Sequence, residues 1–243
     1  MGLNPSLFLP DPDTKPLLAR AFKPSIMQTK QINTVILDLG QVIVPVDQDR
    51  TLRGLSCFVD PAQMEPAALR PFFGTIARYE NGVISNEEFL TALSLFLHQL
   101  NPNLPADYPS RQTLVDIWNA MIPELPARNL DLLQKIRQHY KLCLLSNTNG
   151  LHVEYLDRLL PQESAGFASY FDQIFCSYAL KMHKPDPAIY QYVCRSIGQK
   201  PENCLFVDDR AENIDAARST GLNAVHLTDF NLGKLFQEDG RLV

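Results

Sequence analysis

Apolar residues along this chain follow two different periods, and the change of period divides it. Residues 34–38, Thr-Val-Ile-Leu-Asp, make a short β-branched run that ends in a carboxylate. Its length and branching predict a buried strand, with Gly40 and Pro45 signalling a loop behind it. From about residue 128 short apolar runs alternate with amphipathic stretches. LDLLQKIRQHY reads as a helix, KLCLLSN as a strand, and residues near 151–160 as a helix. QIFCSYA reads as a strand and PAIYQYVCRSIG as a helix. NCLFVDD is a strand, AENIDAARSTG a helix with Gly221 just past its end, and NAVHLT a strand. Such alternation predicts a parallel sheet with right-handed crossovers and ligands at the carboxyl ends of its strands.

Between residues 49 and 127 the period is helical throughout. In NEEFLTALSLFLHQL, Phe89, Leu90, Leu93, Phe96 and Leu97 share one face. Ser85 and Glu88 form a capping box in front of them. FFGTIARYENG and RQTLVDIWNAMI have the same spacing, separated from each other by this helix and by a loop marked by Asn101, Pro102, Pro105 and Pro109. The expected fold class is therefore α/β: a Rossmann-like, doubly wound parallel sheet with an inserted all-helical cap. The core takes residues 31–48 and 128–243 and the cap residues 49–127. Residues 1–30 are proline-rich and aperiodic, and are expected to be an extension.

Composition narrows the partners. Of 243 residues 45% are hydrophobic and 20% charged, and the net charge is −5, so no basic excess exists to bind nucleic acid. No apolar run approaches the ~20 residues of a spanning helix, which sets membrane partners aside. The N-terminus lacks the apolar core of a signal peptide, and Met1-Gly2 with Ser6 matches a myristoylation start only weakly. Five cysteines, an odd number without a C-x-x-C, predict a reducing, cytoplasmic setting.

Four predicted strands end in groups that can do chemistry: Asp38, Ser146-Asn147, the loop with Lys184, and Asp208-Asp209. Singly, each is what turns and helix caps normally contain. Converging on one sheet edge, they provide a carboxylate nucleophile, hydroxyl and amide donors, one cation and two metal-binding acids. That set fits phosphoryl transfer through an aspartyl-phosphate, with Mg²⁺ as cofactor.

The motifs VILDLGQV, LLSNTN, KMHKPDPAIY and FVDDRAEN, in this order with a helical insert after the first, resemble those of the haloacid dehalogenase superfamily. The DLG start, SNTNGLH and DDRAEN are similar to its group of α-D-glucose-1-phosphate phosphatase-like enzymes. The resemblance implies a phosphatase for a small phosphorylated metabolite such as a sugar phosphate, monomeric or homodimeric. It implies Asp38 as nucleophile, Ser146, Asn147 and Lys184 as phosphate-binding groups, and Lys184 as the cation between Asp38 and Asp209. Asp38, the Gly40 carbonyl, Asp208 and Asp209 would hold Mg²⁺, Asp209 most directly, with Asn213 orienting their loop. Most phosphatases of this superfamily have an acid–base Asp two residues after the nucleophile, where this chain has Gly40. His152 and Asp47 are candidate substitutes, and Arg50, Arg78 and Tyr79 are cap residues placed to meet a substrate. Gly40 also keeps open a catalytically weak phospholigand-binding protein, and the superfamily includes dehalogenases.

Overall fold

The computed structural model describes residues 31–59 and 66–243; the extension and Met1-Gly2 lie outside them. Five strands, β1 (Thr34–Leu37), β2 (Lys141–Ser146), β3 (Gln173–Cys176), β4 (Cys204–Asp208) and β5 (Asn223–His226), form one sheet in the order β3-β2-β1-β4-β5. All four pairings are parallel. The chain runs outward from β1 to β3, then crosses to the other side of β1 for β4 and β5. That reversal opens a crevice at the carboxyl ends of β1 and β4.

Side-chain alternation sorts the strands between two cores. Val35, Leu37, Leu142, Leu144, Leu205 and Val207 face one layer. Helix α5 (Ala127–Arg137) covers it with Leu133 and Ile136, and α6 (Gly150–Arg158) with Leu156. Ile36, Cys143, Leu145 and Phe206 face the other layer, where α8 (Pro187–Ile197) and α9 (Ala211–Ser219) bring Ile189, Val193 and Ile214. A sheet buried on both faces reads as continuous apolar runs, as these strands do. The third strand is shorter than QIFCSYA suggested. It stops at Cys176, and Ser177–Leu180 form a short helix, α7. The Ser177 hydroxyl causes the break: it donates to Glu80 O at 2.6 Å and accepts from Thr148 N at 3.1 Å, drawing the chain out of the ladder.

Between β1 and β2 lie α1 (Gln48–Ser56), α2 (Pro66–Glu80), α3 (Asn86–Leu100) and α4 (Arg111–Asn119). They enclose a separate aromatic core in which Phe72 stacks on Phe96 at 4.8 Å and Tyr79 on Phe89 at 4.2 Å. The Ser85–Glu88 capping box starts α3. This helical layer rests on the loops that leave β2 and β3. Tyr79 Oη donates to Asn86 Oδ1 and accepts from Leu151 N, at 2.7 and 3.1 Å.

Gly82, just past α2, has φ +65°, and a Cβ there would stand 1.8 Å from Tyr178 O. Gly82→Ala combines a left-handed backbone with a clash against main chain, and is expected to cost about 2–4 kcal/mol. Urea unfolding of the variant measures this; an unchanged midpoint would mean that the helical layer does not press on α7.

Candidate active site

One rung beyond the Leu37–Val207 pair, Asp38 and Asp208 stand side by side at the ends of β1 and β4. Lys184 Nζ lies between them, 2.7 Å from Asp38 Oδ1 and 2.6 Å from Asp208 Oδ2, and 3.0 Å from Leu145 O. All three ammonium protons are used, and the lysine is 3% exposed. Burial opposes its charge, but the two carboxylates outweigh burial and raise its pKa. Asp38 is pushed up to about 6, by burial first, with Lys184 pulling down and Asp208 pushing up.

The partner of Lys184 is thus Asp208, where Asp209 was expected. Parallel in-register strands place Asp38 and Asp208 on the same face, and alternation turns Asp209 away. Asp208 is saturated: Oδ1 accepts from Arg210 N and Asn213 Nδ2, and Oδ2 from Lys184 and Asn213 Nδ2. Asn213 therefore acts on Asp208 directly. Asp209 is half-buried, with its pKa raised by burial and by Asp208. Oxygens of Asp38, Asp208 and Asp209 lie within 4.8 Å of one another. Three carboxylates against one lysine leave an excess charge of about two, which suits a divalent, oxygen-seeking cation. Beside Asp209 opens a cavity of about 470 Å³ lined by Gln41, Leu227, Thr228, Asp229 and Phe230.

Ser146 ends β2 with its side chain buried and, among the described residues, no bond to its hydroxyl. The Asn147 side chain is engaged with the neighbouring lysine loop. Its amide donates to Lys184 O at 2.8 Å and accepts from Lys184 N at 2.9 Å, so the side chain clamps the lysine loop.

A family model for haloacid dehalogenase-like hydrolases matches residues 73–221, which include Ser146, Lys184, Asp208 and Asp209. The chain belongs to the haloacid dehalogenase-like hydrolases. The match begins after Asp38, whose assignment rests on its place beside Lys184. The chain is 25% identical over 194 residues to D-ribitol-5-phosphate phosphatase of Bacteroides thetaiotaomicron, covering 78% of this chain and 89% of that protein. It resembles the crystal structure of a haloacid dehalogenase family enzyme from the same organism with a TM-score of 0.71 and 27% identity, over 81% of this chain and 94% of that one. The wild-type form of that enzyme in complex with magnesium and inorganic phosphate gives 0.68 and 26%, over 80% and 93%.

The positions that follow Asp38 depart from the expected pattern at Gly40. Gly40 is free of positive φ, and a Cβ on it would meet only Val46 Cγ2 at 3.1 Å. The left-handed residue of the turn is its neighbour Gln41, with φ 54°. Backbone conformation therefore does not demand glycine at position 40, and a side chain there would require the Val46 side chain to shift by a few tenths of an ångström. Neither expected substitute is brought to Asp38. Asp47 caps α1, accepting from Asp49 N, and pairs with Arg50 and Arg53. His152 is buried with both ring nitrogens engaged: Nδ1 accepts from Asn149 Nδ2 at 3.1 Å, and Nε2 donates to Trp118 O at 3.4 Å. Its ring stacks on Trp118 at 5.5 Å. Burial holds the imidazole down at about 4, so it is neutral and serves to join the helical layer to α6. Of the cap candidates, Tyr79 is buried with its hydroxyl bonded, Arg50 pairs with Asp47, and Arg78 is exposed.

The depressed His152 pKa has a thermodynamic consequence. The unfolded chain takes up this proton near pH 6.5 and the folded chain only near 4, so acidification across that interval removes stability. Wild type should lose up to roughly 3 kcal/mol more than His152→Gln between pH 6.5 and 4. Taking the difference cancels the opposite contribution of the buried carboxyls Asp38 and Glu80, whose pKa values are raised. Urea unfolding at stepped pH gives both curves; parallel curves would refute the assignment.

Proposed function

We propose that the chain is a Mg²⁺-dependent phosphatase that hydrolyses a small phosphomonoester, such as a sugar or polyol phosphate, through an aspartyl-phosphate on Asp38. The observation that carries this is Lys184, bonded at once to Asp38 and Asp208, with Asp209 alongside. The site arrangement and the phosphatases among its relatives both support it. Asp209, Asp38 and the Gly40 carbonyl would hold the metal, since Asp208 already accepts four hydrogen bonds. Bound Mg²⁺ supplies positive charge that gathers the phosphate oxygens and lessens their repulsion from Asp38.

The chain's own groups do the rest. Lys184 fixes one oxygen of Asp38, keeps the carboxylate ionised and leaves the other oxygen to attack phosphorus. The Asp38–phosphorus bond forms as the bond to the leaving oxygen breaks. The Ser146 hydroxyl and the Asn147 main-chain N–H donate to the phosphoryl oxygens, and the saturated Asp208 keeps Lys184 from swinging away. Water then attacks the phosphorus, releasing phosphate and regenerating Asp38.

Asp38→Asn preserves shape and removes the nucleophile. Turnover of p-nitrophenyl phosphate should fall on the order of 10⁴-fold or more while the protein stays folded. A variant keeping a tenth of wild-type turnover would exclude the covalent route. Excess EDTA should abolish turnover and added Mg²⁺ restore it, with Asp209→Ala needing far more Mg²⁺ for half-maximal rate. Undiminished turnover in EDTA would argue instead for metal-free, dehalogenase-like chemistry.

A further inference from the structure

The cavity of about 470 Å³ beside Asp209 is walled by the sheet domain: Gln41, Asp209 and the run Leu227–Phe230 that leaves β5. Its volume is that of a small-molecule site. Asp209 joins it to the reacting centre, because oxygens of Asp209, Asp38 and Asp208 lie within 4.8 Å of one another. The walls are fixed in place. Leu227 N donates to Asp208 O at 2.9 Å, and His226 Nε2 donates to Asp209 O at 2.8 Å. Gln41, three residues past Asp38, donates from its main-chain N to Val44 O at 2.8 Å and from Nε2 to Val46 O at 2.9 Å. Tyr79 and Glu80 of the helical layer bond instead to Leu151 and Ser177, after β2 and β3. β4 and β5 lie on the other side of β1 from those strands, so the cavity opens on the side away from these contacts.

Asp229 has an ordinary explanation: its ion pair with Lys234 pins the run after β5. Lys234 takes Oδ2, and the Asn231 main chain also acts on the carboxylate. A carboxylate has about four acceptor positions, so capacity remains for a ligand. Lys234 is not among the lining residues, and neither is Arg128, whose guanidinium lies 6.0 Å from the Phe230 ring centroid. The wall thus offers two carboxylates, one hydroxyl and one amide beside Phe230 and Leu227, with no lining cation.

We infer that this cavity is the leaving-group subsite of the phosphatase proposed above, that it takes an uncharged, polyhydroxylated chain, and that Asp229 is its specificity-determining residue. With phosphorus at Asp38, the chain carrying the ester oxygen extends past Asp209 into the cavity. Its hydroxyls donate to Asp229 and exchange hydrogen bonds with Thr228 and Gln41, while Phe230 and Leu227 cover its C–H groups. A carboxylate or second phosphate on that chain would face Asp229 with no lining cation to meet it, so acidic phosphoesters are turned away.

Kinetics of the full chain with Mg²⁺ on two length-matched pairs test this: sorbitol 6-phosphate with 6-phosphogluconate, and glycerol 1-phosphate with 3-phosphoglycerate. p-Nitrophenyl phosphate, which has no hydroxyl to offer, is the reference. Wild type should favour the uncharged member of each pair that it hydrolyses by about 10-fold or more in kcat/KM. In Asp229→Asn the ratio of the better polyol phosphate to p-nitrophenyl phosphate should fall about 10-fold, mainly through KM, and the preference over the acidic counterpart should shrink. Reading a ratio cancels any loss of folded protein. Lys234→Met breaks the ion pair but keeps the carboxylate, and should keep the ratio. Equal falls in the two variants would assign Asp229 to securing the loop alone and overturn the inference. An unchanged ratio in Asp229→Asn, a wild-type preference for the acidic members, or turnover of p-nitrophenyl phosphate alone would also overturn the subsite while leaving the phosphatase standing. A wild-type chain that hydrolyses none of these esters overturns both.

Discussion

A single buried ammonium group holds this site together. Lys184 lies out of water between Asp38 and Asp208, and three ionised groups in a dry environment tolerate each other only in close hydrogen-bonded geometry. Such a cluster adds little net stability, because desolvation consumes most of the attraction. It does impose geometry: displacement of any member leaves a buried charge unmatched. Around it the chain spends its polar groups accordingly. Asn147 grips the lysine by its main chain, Leu145 O takes the third proton, and Asn213 with Arg210 N fills the remaining positions on Asp208. The Asp38 carboxylate is thereby held in one orientation by its bond to Lys184.

The helical layer is joined to the same loops that build the site. Thr148 and Asn149 directly follow Ser146-Asn147. Thr148 binds Ser177, which binds Glu80; Asn149 caps α6, accepts from Trp118 Nε1 and orients His152 under the Trp118 ring. The helical layer and the sheet edge are therefore both bonded to the same four residues, Ser146 to Asn149 and their partners. The contacts there are mostly single hydrogen bonds and one ring stack, with Leu151 the residue from α6 that enters the aromatic core.

Gly40 shows how a missing group is to be understood. Had it carried positive φ, its glycine would be explained by backbone sterics alone. The turn instead places that strain on Gln41, whose amide donates to Val46 O at 2.9 Å and secures it. Position 40 keeps an ordinary backbone, and a Cβ there would press on the Val46 side chain at 3.1 Å.

The sequence by itself determined what depends on local periodicity and on local hydrogen bonds. Short, continuous apolar runs identified the strands, the 3.6-residue period the helices, and the Ser85–Glu88 box and Gly221 two of the helix limits, because those signals act within one turn or one strand. The strand ends being polar, Asp38, Ser146, Lys184 and Asp208 were legible as a set. What the sequence could not contain was which of them touch. Asp208 rather than Asp209 meets Lys184 because of register between β1 and β4, two strands separated by some 170 positions in the chain. Asn147 turns to the Lys184 backbone, His152 sinks beneath Trp118, and the end of α2 is tied to Ser177 behind β3. Each of these outcomes is a contact between segments far apart in sequence, and only the packing of helix layer on sheet, by deciding which groups lose water and beside which partners, assigns their chemistry.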